Sequence, residues 1–180
     1  MKKELIYVAE IPEGVEVTLD GKKLFAKGEK GENERIFHYP GIEMKIEDKK
    51  VILSCSLATK KEKSMMGSFI SHIRNMIQGV NEGFIYKLKI CSGHFPMNVE
   101  TKGKEVFISN FLGEKKDRVA KILDNVTVKV DGNIITVNSC NVESAGQSAA
   151  NIEKATKIKG RDKRIFQDGV FIIEKAGIVM

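Results

Sequence analysis

Tryptophan is absent from this 180-residue chain, and cysteine, histidine and proline occur only three times each. Each shortage excludes something. Cys55, Cys91 and Cys140 lie far apart and form no CxxC pair, so free thiols are expected rather than a disulfide framework. His38, His72 and His94 are equally scattered. Without an HxxxH or a His/Cys cluster there is no metal-ligand spacing, and neither a metal nor another cofactor is expected. No apolar run approaches the roughly 18 residues of a membrane span. The opening MKKELIYVAEIPEG lacks the apolar stretch of a signal peptide, which leads to the expectation of a soluble, cytoplasmic protein.

Catalytic signatures are missing as well. There is no GxxxxGK[ST], no GxSxG, no HExxH and no kinase signature set. Gly28-Glu29-Lys30-Gly31-Glu32 is too acidic for a phosphate cradle and is expected to be a surface turn. Cys91 and His94 have the residue types of a nucleophile and its base, but around Ser92-Gly93 they fit a strand end and a turn. No enzyme and no small-molecule substrate is expected.

Charge is present, and it is unevenly placed. The chain carries 30 basic and 24 acidic residues, net +6. Residues 1–82 hold 14 basic against 13 acidic, net +1, and residues 83–180 hold 16 against 11, net +5. Between Lys154 and Arg164, six cations (Lys154, Lys157, Lys159, Arg161, Lys163, Arg164) face one acid, Asp162. Such a run is either the solvated, lysine-rich end of a helix or a phosphate-binding patch. Its two arginines favour phosphate, which guanidinium binds bidentately.

The chain also repeats itself. Pro12 and Pro96, Gly31 and Gly113, Arg35 and Arg118, and Cys55 and Cys140 are separated by 82 to 85 residues, in matched order. Two tandem α+β domains follow, 1–82 and 83–180, each a small antiparallel sheet packed with one helix. Residues 11–80 and 95–159 should superpose, with Cys55 and Cys140 at equivalent strand ends. No Gly/Ser/Pro-rich linker separates the copies, so limited relative motion is expected.

Strands are legible where apolar residues alternate. Val15, Val17 and Leu19 precede Asp20-Gly21; Met44 and Ile46 precede a turn at Glu47-Asp48-Lys49-Lys50 and then Val51-Ile52-Leu53. Val126, Val128 and Val130 lead through Asp131-Gly132 into Ile134-Ile135, a strong hairpin signal. After each helix another strand is expected, at Phe84–Ile90 and again from Val170. From Ser64 to Gln78 the period lengthens to three and four, with Phe69, Ile73, Met76 and Ile77 as core, Ser64 as N-cap and Gly79 as stop. Lys60, Lys61 and Lys63 then precede the helix, either as a flexible loop or within reach of phosphate. The second helix, about Ser144 to Lys157, presents Ala145, Ala149 and Ile152, small residues that predict a close helix-to-sheet approach.

Five stretches carry a resemblance: SMMGSFISHIRNMIQGV (64–80), GHFPMNV (93–99), NFLGEK (110–115), GQSAANIE (146–153) and RDKRIFQDGVFI (161–172). Together they resemble the sixth protein family of the large ribosomal subunit, in its archaeal and eukaryotic form, over nearly the whole chain. The resemblance implies two similar domains without enzymatic activity. It also implies binding to large-subunit rRNA near the factor-binding site and stalk base, mainly through the C-terminal domain. Neighbouring ribosomal proteins would be partners, with translation factors nearby. By the same resemblance the rRNA-binding residues are Gln147, Asn151, Lys154, Lys157, Lys159, Gly160, Arg161, Lys163, Arg164 and Gln167. Phe166 is open to two roles, core anchor or base stacker. The tail departs from the family: Ala176-Gly177-Ile178-Val179-Met180 is short and apolar, which leaves no basis for contacts through a basic extension. Competing readings are a non-ribosomal RNA-binding module, a nuclease and a protein-binding scaffold. A nuclease needs acids or histidines beside the patch, where the sequence places only Asp162 and Asp168.

Overall fold

Tight hairpins supply most of the architecture. In the computed structural model, which describes residues 3–162 and 164–180, a first unit runs through β1 (Lys3–Glu10), β2 (Glu16–Asp20), β3 (Lys23–Gly28), β4 (Gly31–Ile36), β5 (Glu43–Glu47), β6 (Lys50–Ala58) and α1 (Lys60–Asn81), ending at Gly83. The second unit, from Phe84 onward, runs through β7 (Phe84–Cys91), β8 (Asn98–Lys102), β9 (Glu105–Ser109), β10 (Arg118–Lys121), β11 (Val126–Asp131), β12 (Ile134–Ser139), α2 (Val142–Ala155), β13 (Gly169–Lys175) and β14 (Ile178–Val179).

Strand order establishes the duplication. The first unit has antiparallel sheets ordered β1-β6-β5 and β2-β3-β4; the second has β7-β12-β11 and β8-β9-β10, with β13 and β14 added on the other side of β7. Each repeat therefore carries its strands in two small sheets rather than one. The strand expected after the first helix is β7, and it is the middle strand of the second unit's larger sheet, between β12 and β13. No strand of the first unit occupies the position of β13 among the described residues.

Register corrects the markers from which the repeat was read. Glu47 faces Lys50 and Asp131 faces Ile134, an offset of 84 (131 less 47). Carried along the strand, that offset sets Cys55 level with Ser139, so Cys140 lies one residue beyond β12 and is not the equivalent of Cys55. No disulfide joins any of the three cysteines. Leu24 faces Arg35 and Val106 faces Ala120, so Arg35 corresponds to Ala120 instead of Arg118. The longer β9–β10 connection absorbs the difference with a 3-10 turn at Phe111–Gly113.

α1 starts one turn earlier than its apolar period indicates. Thr59 is the N-cap, and with Glu62 it forms a capping box that satisfies otherwise unpaired amides. Lys60, Lys61 and Lys63 are thus in the first helical turn and not in a loop, and Ser64 is interior. Gly79 is buried within the helix; the left-handed residue that ends it is Gly83, whose N–H donates to the Gly79 carbonyl at 3.0 Å. Met66, Ile70, Ile73, Met76, Ile77 and Val80 are the buried face, packed with Leu24, Val51 and Leu53. Phe69 sits at the flank, edge-on to Phe37 at 5.2 Å.

α2 is capped by Asn141, whose side chain accepts from the N–H groups of Glu143 and Ser144 at 2.8 and 3.4 Å. Its buried face is Ala145, Ser148, Ala149 and Ile152. The close approach predicted from these small residues is real. A Cβ on Gly146 would lie 3.1 Å from the Tyr86 hydroxyl, so glycine is what lets this helix rest on β7.

Candidate nucleic-acid interface

The C-terminal end of α2 is locked to its neighbours before the basic segment begins. Thr156 Oγ1 accepts the Val170 N–H at 2.9 Å, and Glu153 Oε1 accepts the Ile172 N–H at 3.2 Å. Side chains at the end of α2 thereby take two amides of β13 on the part of the strand that β14, paired only at Glu174 and Lys175, leaves uncovered. Arg118 donates to the Ala155 carbonyl at 2.9 Å, one of the carbonyls a helix end leaves without an internal partner. The same guanidinium binds Glu114 in bidentate fashion at 2.8 and 2.6 Å and lies 4.2 Å over the Phe111 ring. Fully engaged, Arg118 is a structural arginine. Its contact holds the Glu114 carboxyl below the ordinary carboxylate range.

Beyond this end the chain turns at Gly160, in the left-handed region (φ +70°), and again at Asp162. The Asp162 carbonyl accepts from Ile165 and Phe166 at 3.2 and 2.9 Å, and its carboxylate accepts the Arg164 N–H at 2.9 Å. Asp168 closes the loop. Only 2% exposed, it accepts the N–H groups of Gly93 and His94 at 2.6 and 3.0 Å and contacts His94 Nδ1 at 2.6 Å. Burial by itself pushes this carboxyl up, but the hydrogen bonds from His94 and Gly93 outweigh it and hold the group below its ordinary value.

Phe166 is half-buried, which fits neither expectation fully. Its ring stacks on His94 at 4.9 Å, 25° from parallel, and the Arg161 guanidinium lies 4.8 Å from its centroid. It anchors the loop at the surface instead of in the core. Lys154, Lys157, Lys159, Arg161 and Arg164 are all exposed around this frame. Arg164 makes a 3.4 Å ion pair with Asp162. Lys163 lies outside the described residues. Gln167 donates to the Arg164 carbonyl at 3.3 Å.

Gln147 and Asn151 share the face of α2 that continues to Lys154, through steps of four and three. Their amides are engaged within the protein: Gln147 donates to Asn151 at 2.9 Å, and Asn151 donates to the Lys121 carbonyl at 3.0 Å. The sequence places His94 in a turn beside Cys91 but does not foresee its contact with Asp168, 74 positions away, which completes the loop's anchor. Nor does the sequence place Lys115 and Lys116 beside the basic segment. These exposed cations follow Glu114, whose carboxyl is also held down by the nearby Arg161. No local spacing signals either association.

Comparison with known proteins agrees with the duplication. The sequence pattern of the family described as ribosomal protein L6 matches residues 11–83 and again residues 95–169. The chain is 51% identical over 176 residues to the large ribosomal subunit protein uL6 of Methanosarcina mazei, covering 98% of this chain and 100% of that protein. It is 51% identical over 171 residues to the protein of the same name from Methanococcus vannielii, covering 95% of this chain and 94% of that one.

Proposed function

The chain belongs to the ribosomal protein L6 family, and on that premise we propose that it is a structural constituent of the large ribosomal subunit, in the cytoplasm, that binds rRNA through its second unit. The observation that carries the reading is the basic segment itself. Five described cations stand exposed together, Lys154 at the end of α2 and Lys157, Lys159, Arg161 and Arg164 on the segment after it, which Thr156 and Asp168 hold at its two ends. A cationic segment held at both ends has less freedom to lose on binding phosphate than one that is tethered at neither. Lys163 continues the same run in sequence, and Gln147 and Asn151 extend its helix face. A place near the factor-binding site and the stalk base, beside other ribosomal proteins, belongs to the same proposal and rests on the family resemblance.

The test is the salt dependence of binding between the full chain and a large-subunit rRNA fragment. Bound phosphates release counterions, so affinity should fall steeply as salt rises. Changing Arg161 and Arg164 together to Gln should flatten the slope by about one to two units, roughly one for each phosphate no longer neutralised. The paired change at Lys22 and Lys23 should leave it unaltered. Equal effects from both pairs, or none from the arginines, would reduce the segment to a solvated face. Retention on large subunits in high salt separates a ribosomal constituent from a free RNA-binding module, which should wash away.

A further inference from the structure

We propose that the cleft under the basic segment receives a single unpaired nucleotide of RNA, its base inside and its phosphate at the rim. The inference rests on RNA being the ligand of this unit, and it adds a base-accepting site to what charge alone provides.

The cleft is open, about 1090 Å³, and lies between the C-terminal half of α2, the turn after β7 and residues 165–168. Ligand sites commonly occupy about 300–1,000 Å³, so a base and its sugar fit without forcing the walls apart. Its chemistry is divided. Ile165 and Phe171 line it at 65% and 43% exposure, and of the several large apolar side chains that this unit leaves facing water they are the two that line this cleft. His94 and Phe166, already stacked on each other, add an aromatic wall. Lys154 and Lys157 stand on the helix side, both exposed.

The carboxylates that line the cleft do not oppose an anion freely. Glu153 accepts the Ile172 N–H, and Asp168 is enclosed by Gly93 and His94. A bare phosphate has no use for the apolar wall, and an apolar peptide has none for the lysines. A nucleotide presents both halves together. The base must be unpaired, because a duplex keeps its bases stacked inside and offers only backbone and groove edges. Stacking on aromatic faces beside a cationic track is how proteins hold single strands.

The full chain should be titrated with a short single-stranded RNA carrying one 2-aminopurine, and with the same strand annealed to its complement. The single strand should bind more tightly, and its fluorescence should change as the base enters the cleft. Phe171→Ala combined with Ile165→Ala should weaken the single strand by about five- to hundredfold, the range for losing one stacked base, and leave the duplex unaffected. Thermal melting checks folding, and Ile165→Ala alone serves where the double variant is unstable. Equal affinity for both RNAs with no fluorescence change, or equal loss on both, overturns the cleft. If these variants are silent while Arg161→Gln with Arg164→Gln weakens both RNAs, the base site falls and the phosphate surface stands. If the arginine pair is silent too, both readings fall.

Discussion

Asp168 and His94 stand 74 residues apart in the chain, yet Oδ2 of one lies 2.6 Å from Nδ1 of the other. With the N–H groups of Gly93 and His94 on Oδ1, a single buried carboxylate ties the loop before β8 to the loop before β13. The basic segment is held at both ends, by Thr156 at its start and by Asp168 at its finish.

This tie should be sensitive to acid. The carboxyl of Asp168 titrates below its ordinary value in the folded chain, so its contribution is complete above the unfolded value of about 3.9 and is lost as pH falls through the lower folded one. Asp168→Asn should lower stability near neutral pH by about 1–3 kcal/mol, the cost of disturbing a satisfied buried group. In urea unfolding followed down the acid range, the gap between the two proteins should close. A gap that is constant with pH would show that the charge is not what matters.

Ile73 and Ile152 are fully buried, one on each helix. Replacing either by Ala should cost about 2–5 kcal/mol, from lost transfer free energy and the cavity left behind. Phe69→Ala should cost less than Phe/Trp→Ala changes usually do, because the ring lies at the margin of the core against Phe37. Chemical denaturation decides it. A loss under about 0.5 kcal/mol at Ile73, typical of surface sites, would refute the assigned helix face.

Two turns of the first unit call for opposite substitutions. A Cβ on Gly28 would lie 2.5 Å from the Val80 carbonyl oxygen, which also accepts the Lys30 N–H at 2.9 Å and so cannot retreat without losing that bond. Gly28→Ala should destabilise by about 1–3 kcal/mol. At the β5–β6 turn, Asp48 and Lys49 both take positive φ, 45° and 59°, the backbone of a type I′ turn that favours glycine second. Lys49→Gly should stabilise by up to about 1 kcal/mol, the relief of a strained left-handed residue less the added freedom of glycine when unfolded. Thermal melts of both variants give the signs directly, and a stable Gly28→Ala would contradict the packing of β3 under α1.

Legibility in the sequence followed locality. The Val126, Val128, Val130 alternation and Asp131-Gly132 mark a hairpin because every determinant lies within a dozen residues. The start of α1 was also written locally, in Thr59 and Glu62, but the apolar period after Ser64 drew the boundary inward. β4 has little apolar patterning; its residues GENERI are held by pairing with β3 and by ion pairs such as Lys23–Glu34 at 2.9 Å and Lys27–Glu32 at 3.0 Å. At the interface the contiguous cations were visible as composition. The pairing of His94 with Asp168, the engagement of Arg118 with the end of α2 and the cleft between them depend on distant segments meeting, which no window of sequence displays.

The position of β7 bears on how this chain can be taken apart. The family pattern resumes only at residue 95, and a fragment cut there would look like a whole second copy. It would lack residues 84–91, the strand that pairs with β12 on one side and β13 on the other. Leu88 and Ile90 would leave the core with it, and two strand edges would be opened in the middle of a sheet. A fragment beginning ahead of Phe84 keeps that sheet whole. The unit of inheritance and the unit of folding are thus offset by one strand: the pattern marks where a copy resumes, but the second half needs the segment that precedes it to close its own sheet.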